Sequence, residues 1–135
     1  MNKLSTFLLL AAALSSCQKT APIPGLATPG KGQIVRYDLT YDEHNQAPRL
    51  RWIVQLAAPL SAKGWNNQDY TQVKVFDLPD TVTFRVGTKL SFTYQLVPQD
   101  QQTPWKTNYE WYSVPAYPPG YIPYPELALA EIQRQ

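Results

Sequence analysis

A single cysteine and a single histidine stand among the 135 residues, and each scarcity closes off chemistry. One thiol permits no intrachain disulfide, so an oxidising compartment is compatible with the chain but unused by it. One imidazole, His44, cannot complete a usual zinc set, and any Ser-His-Asp arrangement would have to use it. No serine stands in a G-x-S-x-G nucleophile elbow. His44 lies in Asp42-Glu43-His44-Asn45, whose Asp and Asn favour turns, so a solvated turn is expected, with no metal, cofactor or catalytic residue assigned. An excess of one charge is also missing: 12 Lys and Arg face 10 Asp and Glu, which gives no basic surplus of the kind that binds nucleic acid.

A long apolar run is absent as well. After Met1-Asn2-Lys3, residues Leu4 to Leu14 are uncharged and largely apolar. As a helix they would rise roughly 16 Å, about half of a ~30 Å hydrocarbon core, so they are too short to span it. A short positive start followed by such a run is the layout of a secretory signal peptide, here residues 1–16.

The run ends Leu14-Ser15-Ser16-Cys17, and this resembles the lipobox of bacterial lipoproteins: an aliphatic residue, two small ones, then an obligatory cysteine. The resemblance covers the first seventeen residues. It implies cleavage before Cys17, a diacylglyceryl group on the thiol and a further acyl chain, such as palmitate, on the new amine. The chemistry needs a thiolate, a better nucleophile than a hydroxyl near neutral pH. Each buried CH₂ contributes about 0.8 kcal/mol, so two or three chains make a lasting membrane anchor. The other reading of the same residues is a plain secreted protein cut elsewhere. Gln18 follows the cysteine, where Asp would resemble an inner-membrane retention signal, so the resemblance implies the cell envelope and, in a cell with two membranes, the outer one.

From Gln18 to Gly32 the chain reads QKTAPIPGLATPGKG, without periodic apolar residues, and is expected to be a tether reaching roughly 45 Å if extended. Residues 17–32 are thus the lipidated cysteine and tether, and residues 33–135 a single β domain. Period two begins at Gln33: Val35, Tyr37, Leu39 and Tyr41 share one face and are expected to be buried. Leu50, Trp52, Val54 and Leu56 repeat the pattern. Tyr70–Leu78 is a strand with a bulge or with both faces covered. Val82, Phe84 and Val86, then Leu90, Phe92, Tyr94 and Leu96, suggest a hairpin with a three-residue loop that sets Val86 opposite Leu90 and Phe84 opposite Phe92. Tyr109–Val114 makes a sixth strand and Pro125–Gln133 a short terminal helical turn. The fold class is all-β: a small antiparallel sandwich or partly open barrel of about six or seven strands. The stretch from Leu78 to Tyr94 loosely resembles the later half of small bacterial lipoproteins of unknown function, which assigns no activity.

Near the C-terminus Trp105, Tyr109, Trp111, Tyr112, Tyr117, Tyr121 and Tyr124 alternate with six prolines. Buried, these rings would fold a rigid tail over the sheet, and Trp111 is expected in the core. Exposed, Trp105, Tyr117, Tyr121 and Tyr124 would form a binding face for sugars, proline-rich peptides or a protein surface. The expected function is therefore a lipid-anchored, non-enzymatic envelope protein that binds or scaffolds an extracytoplasmic protein or glycan. The runner-up is a small envelope hydrolase working through paired carboxylates.

Overall fold

The alternating segment around Trp52 becomes β2 (Arg49–Ser61), the strand on which the sheet is built. The computed structural model describes residues 27–61, 68–112 and 124–135. On one side β2 pairs with β1 (Thr28–Thr40), and on the other with β3 (Asp69–Val75), both antiparallel. Next, β4 (Lys89–Leu96) returns to the free side of β1, and β5 (Leu127–Arg134) pairs outside β4. The result is one five-strand antiparallel sheet in the order β3-β2-β1-β4-β5. Four of its strands follow the Greek-key order 4-1-2-3. The two edge strands touch without closing a barrel: the Lys74 N–H donates to the Pro125 carbonyl at 3.0 Å, and Lys74 and Glu126 form a single parallel bridge.

One face of the sheet carries the core. Ile34, Trp52, Val54, Val73, Val75, Leu90, Phe92 and Leu127 are buried together there, with Phe84, Tyr94 and Leu129 packed against them. Where β1 meets β4, Gly30 and Gly32 stand opposite Phe92 and Leu90. A Cβ at Gly30 would come within 2.8 Å of the Phe92 ring, and one at Gly32 within 2.6 Å of Val54 Cγ1. Their missing side chains therefore leave the room that the large β4 residues fill.

The all-β class is what the structure has, with five strands among the described residues, and several boundaries differ from expectation. The first strand begins at Thr28, inside the stretch read as tether, because Thr28–Gln33 pair with β4. A bulge between Ile34 and Arg36 shifts the β1 ladder. Beyond it Tyr37 and Leu39 stand opposite Trp52 and Leu50, yet they are 45% and 47% exposed, because β4 stops opposite Gln33. The expected hairpin at 82–94 is not formed. Residues Thr81–Phe84 are a turn, in which Asp80 Oδ1 accepts the N–H groups of Val82 (3.0 Å) and Thr83 (2.6 Å). Tyr109 belongs to a short helix, α1 (Asn108–Tyr112), and not to a sixth strand. The terminal helical turn is instead β5, because the edge of β4 has a ladder to satisfy. In β3 both faces are covered, Val73 and Val75 by the core and Lys74 by what crosses the other face.

Candidate functional site

The face of the sheet turned away from the core begins with charge. Asp38 and Arg51 stand opposite each other in the β1–β2 ladder, so their side chains share this face. Arg51 is only 3% exposed, since the segment from Pro98 to Tyr112 crosses above it. The docking element of that segment is α1, which starts at a reciprocal capping pair. The Thr107 N–H donates to Glu110 Oε2 at 2.8 Å, and the Glu110 N–H donates to Thr107 Oγ1 at 3.2 Å. The same Glu110 carboxylate accepts Arg51 Nη1 on both oxygens at 3.0 Å, while Arg51 Nη2 donates to Asp38 Oδ2 at 2.9 Å.

One residue further, the Trp111 indole N–H donates to the Tyr41 carbonyl at 2.9 Å, and the Lys106 ammonium lies 4.8 Å from the Trp111 ring centroid. Tyr41 and Lys106 also exchange backbone bonds of 2.7 and 3.0 Å. Glu110 and Trp111 thus fasten α1 to the sheet. The tyrosines on either side of them, Tyr109 and Tyr112, are left 80% and 73% exposed. Spaced three apart, they are neighbours on the helix surface. A pair of flat rings with polar edges, held on a fastened element, can stack on a planar apolar ligand surface at small cost in ordering.

Of the four residues expected to form a binding face, Trp105 and Tyr124 are described, and both are held by arginines. The Trp105 indole N–H donates to the Ala47 carbonyl at 2.7 Å, and its ring lies 5.7 Å below the Arg49 guanidinium, which also covers Phe76 at 5.1 Å. The Tyr124 hydroxyl accepts Arg36 Nη2 at 3.3 Å, with the guanidinium 5.3 Å over the ring. These two half-buried rings sit in separate arginine contacts and do not form one exposed face. Cys17, Tyr117 and Tyr121 lie outside the described residues. His44 is exposed in the β1–β2 connection, with Nε2 3.4 Å from Glu43 Oε1, and Trp111 is half-buried on α1 and not in the core.

A second buried cation, Lys74, lies on the same charged face. Burial pushes its ammonium down to about 8, against the attraction of Glu126 and together with the repulsion of Arg51. Glu126 itself accepts the Thr103 N–H and hydroxyl, both at 2.6 Å, which fixes the covering segment at a second point. Arg51 and Lys74 occupy positions that alternate outward along their strands, where a sequence reading puts them in solvent. The signal that could have revealed the cover is Thr107-Asn108-Tyr109-Glu110, a T-x-x-E capping box.

No protein-family model matches the chain, and no curated protein or solved structure matches it either.

Proposed function

We propose that the chain is a lipid-anchored, non-enzymatic protein of the cell envelope whose β domain engages an extracytoplasmic protein or glycan through Tyr109 and Tyr112. The observation that carries the binding reading is their exposure on a helix fastened at Glu110 and Trp111. The anchor rests on the lipobox resemblance at Leu14–Cys17, and Gln18 in place of Asp favours the outer membrane in a cell that has two membranes. Only residues 18–27 separate Cys17 from β1, a reach of roughly 30 Å if extended. β1 then runs 13 residues, roughly 40 Å, away from that point, and α1 docks beside its far end at Tyr41. The chain from the anchor joins β1 at Thr28 and α1 docks beside its other end, which favours a partner away from the bilayer. The hydrolase reading is weaker because Asp38 and Glu110, two carboxylates drawn together among the described residues, are both bonded to Arg51.

The test is capture from envelope extracts by the detergent-solubilised protein, compared with a Tyr109→Ala/Tyr112→Ala variant. We expect the variant to keep its stability within about 0.5 kcal/mol per site and to lose its envelope component. Unchanged capture would remove the tyrosines from the site. Mass spectrometry of the mature N-terminus tests the anchor separately: a lipid-modified Cys17 is expected, and an unmodified terminus at another residue excludes it.

A further inference from the structure

The turn that replaces the expected hairpin builds a feature of its own. Between residues Val82–Lys89 and the end of β5 lies an open cleft of about 700 Å³, lined by Arg85, Lys89 and Arg134 together with Val82 and Val86. Among the described residues none of the three cations has a carboxylate within 4.0 Å, whereas Arg36, Arg49 and Arg51 are all paired. Asp80 attracts Arg134 across the cleft. Its carboxylate is turned into the loop by the N–H groups of Val82 and Thr83. Three exposed cations without a side-chain carboxylate partner therefore line one open cleft, with the terminal residue Gln135 beside them.

The loop carrying Arg85 is fixed. The Trp52 indole N–H donates to the Phe84 carbonyl at 3.0 Å, and Phe84 packs against the core. The Gly87 N–H donates to the Ile34 carbonyl at 2.8 Å, and the Ile34 N–H to the Thr88 carbonyl at 2.9 Å. On the opposite wall the Gln135 N–H donates to the Lys89 carbonyl at 2.9 Å. Gly87 adopts φ 93°, a conformation that favours glycine, and so brings the chain back into β4. Val82, meanwhile, is 84% exposed. An apolar side chain held outward beside three unpaired cations suits a ligand that is both anionic and apolar.

We propose that this cleft binds a phosphate group carried beside an apolar moiety. Two guanidinium forks and an ammonium match the several oxygens of a phosphate, and Val82 and Val86 take the apolar part. The inference stands apart from the tyrosine pair, which uses another element, and does not need the anchor. Two sources share the chemistry: a phospholipid headgroup and a soluble phosphorylated molecule.

The experiment is a titration of the full detergent-solubilised chain, followed by NMR or calorimetry. One arm adds inorganic pyrophosphate, and the other adds mixed micelles containing phosphatidylglycerol, with the neutral detergent alone as baseline. The Arg85→Glu/Lys89→Glu variant is run in parallel, as is the milder Arg85→Gln/Lys89→Gln variant, with circular dichroism to verify folding. Binding to either probe that falls at least tenfold in both variants supports the site. A response to the micelles alone assigns it to a lipid headgroup, and a response to pyrophosphate assigns it to free phosphate. Failure of the wild-type chain to bind either probe, or binding that survives both substitutions, overturns the proposal.

Discussion

Asp38 and Arg51 face each other across the β1–β2 ladder at 2.9 Å, and the arginine reaches past that partner to grip Glu110 of the covering helix. A ladder pair has thereby become the hinge between two layers. Removing one member of a buried ion pair leaves an uncompensated charge and costs about 3–5 kcal/mol. Arg51→Ala is expected to lose that much in chemical denaturation. Glu110→Ala should lose less, because Asp38 still faces the guanidinium, but should speed hydrogen exchange at residues 103–112. If exchange there does not change, the segment is held by something other than Arg51.

Lys74 gives the domain a pH signature. Its folded-state pKa of about 8 lies below the ordinary 10.5, chiefly through burial. Below about pH 8 the group is charged in both states and its full penalty applies, on the order of 3 kcal/mol. Between about pH 8 and 10.5 the unfolded chain holds the proton and the folded chain does not, so stability rises with pH. Lys74→Met should be more stable than wild type at pH 7 and should lose this rise. Parallel pH–stability curves for the two proteins would refute the assignment.

Trp52 and Trp111 separate core from cover. Trp52 is buried and anchors the Asp80 turn through Phe84, so Trp52→Ala is expected to cost about 3–5 kcal/mol. Trp111→Ala removes one indole bond from a half-buried site and should cost below about 2 kcal/mol. Equal losses in urea unfolding would mean that α1 belongs to the core.

The two glycines of β1 should respond differently to alanine. At Gly32 the new Cβ meets Val54 Cγ1 at 2.6 Å and the Gln55 carbonyl oxygen at 2.8 Å, and backbone cannot easily yield. At Gly30 the nearest atoms belong to the rings of Phe92 and Tyr94, which can turn. Gly32→Ala is expected to cost about 1–3 kcal/mol and Gly30→Ala less, measured by thermal unfolding. The reverse order would place the Phe92 and Tyr94 rings under tighter constraint than Gln55.

The segments legible in the sequence are those whose apolar period matches one buried face. Leu50, Trp52, Val54 and Leu56 announced β2, and Leu90 and Phe92 announced β4. Tyr37 and Leu39 have the same period, but a period cannot say where the neighbouring strand stops. Val82, Phe84 and Val86 alternate equally well, yet Asp80 captures the loop's N–H groups locally and overrides the pattern. In Leu127–Arg134 the helix-favouring Leu, Ala and Glu are overruled by the open edge of β4, with a register shift and Glu131 at φ 50° absorbing the misfit. The tyrosine pair was hidden for a different reason. Its exposure depends on Arg51 holding Glu110, a contact between residues 59 apart in the chain.

That β1 serves two ladders sets an order of assembly. Its second half finds β2 immediately, across a short connection, so a local hairpin can form as soon as residues 34–54 are available. Its first half must wait for Lys89–Tyr94, more than fifty residues later, and β5 can join only after that. Loop closure of this kind is met before the contacts that reward it, which slows folding. For a chain that emerges N-terminus first, Thr28–Lys31 are therefore without a strand partner for most of synthesis, and completion of the sheet is a late event that begins with the arrival of β4.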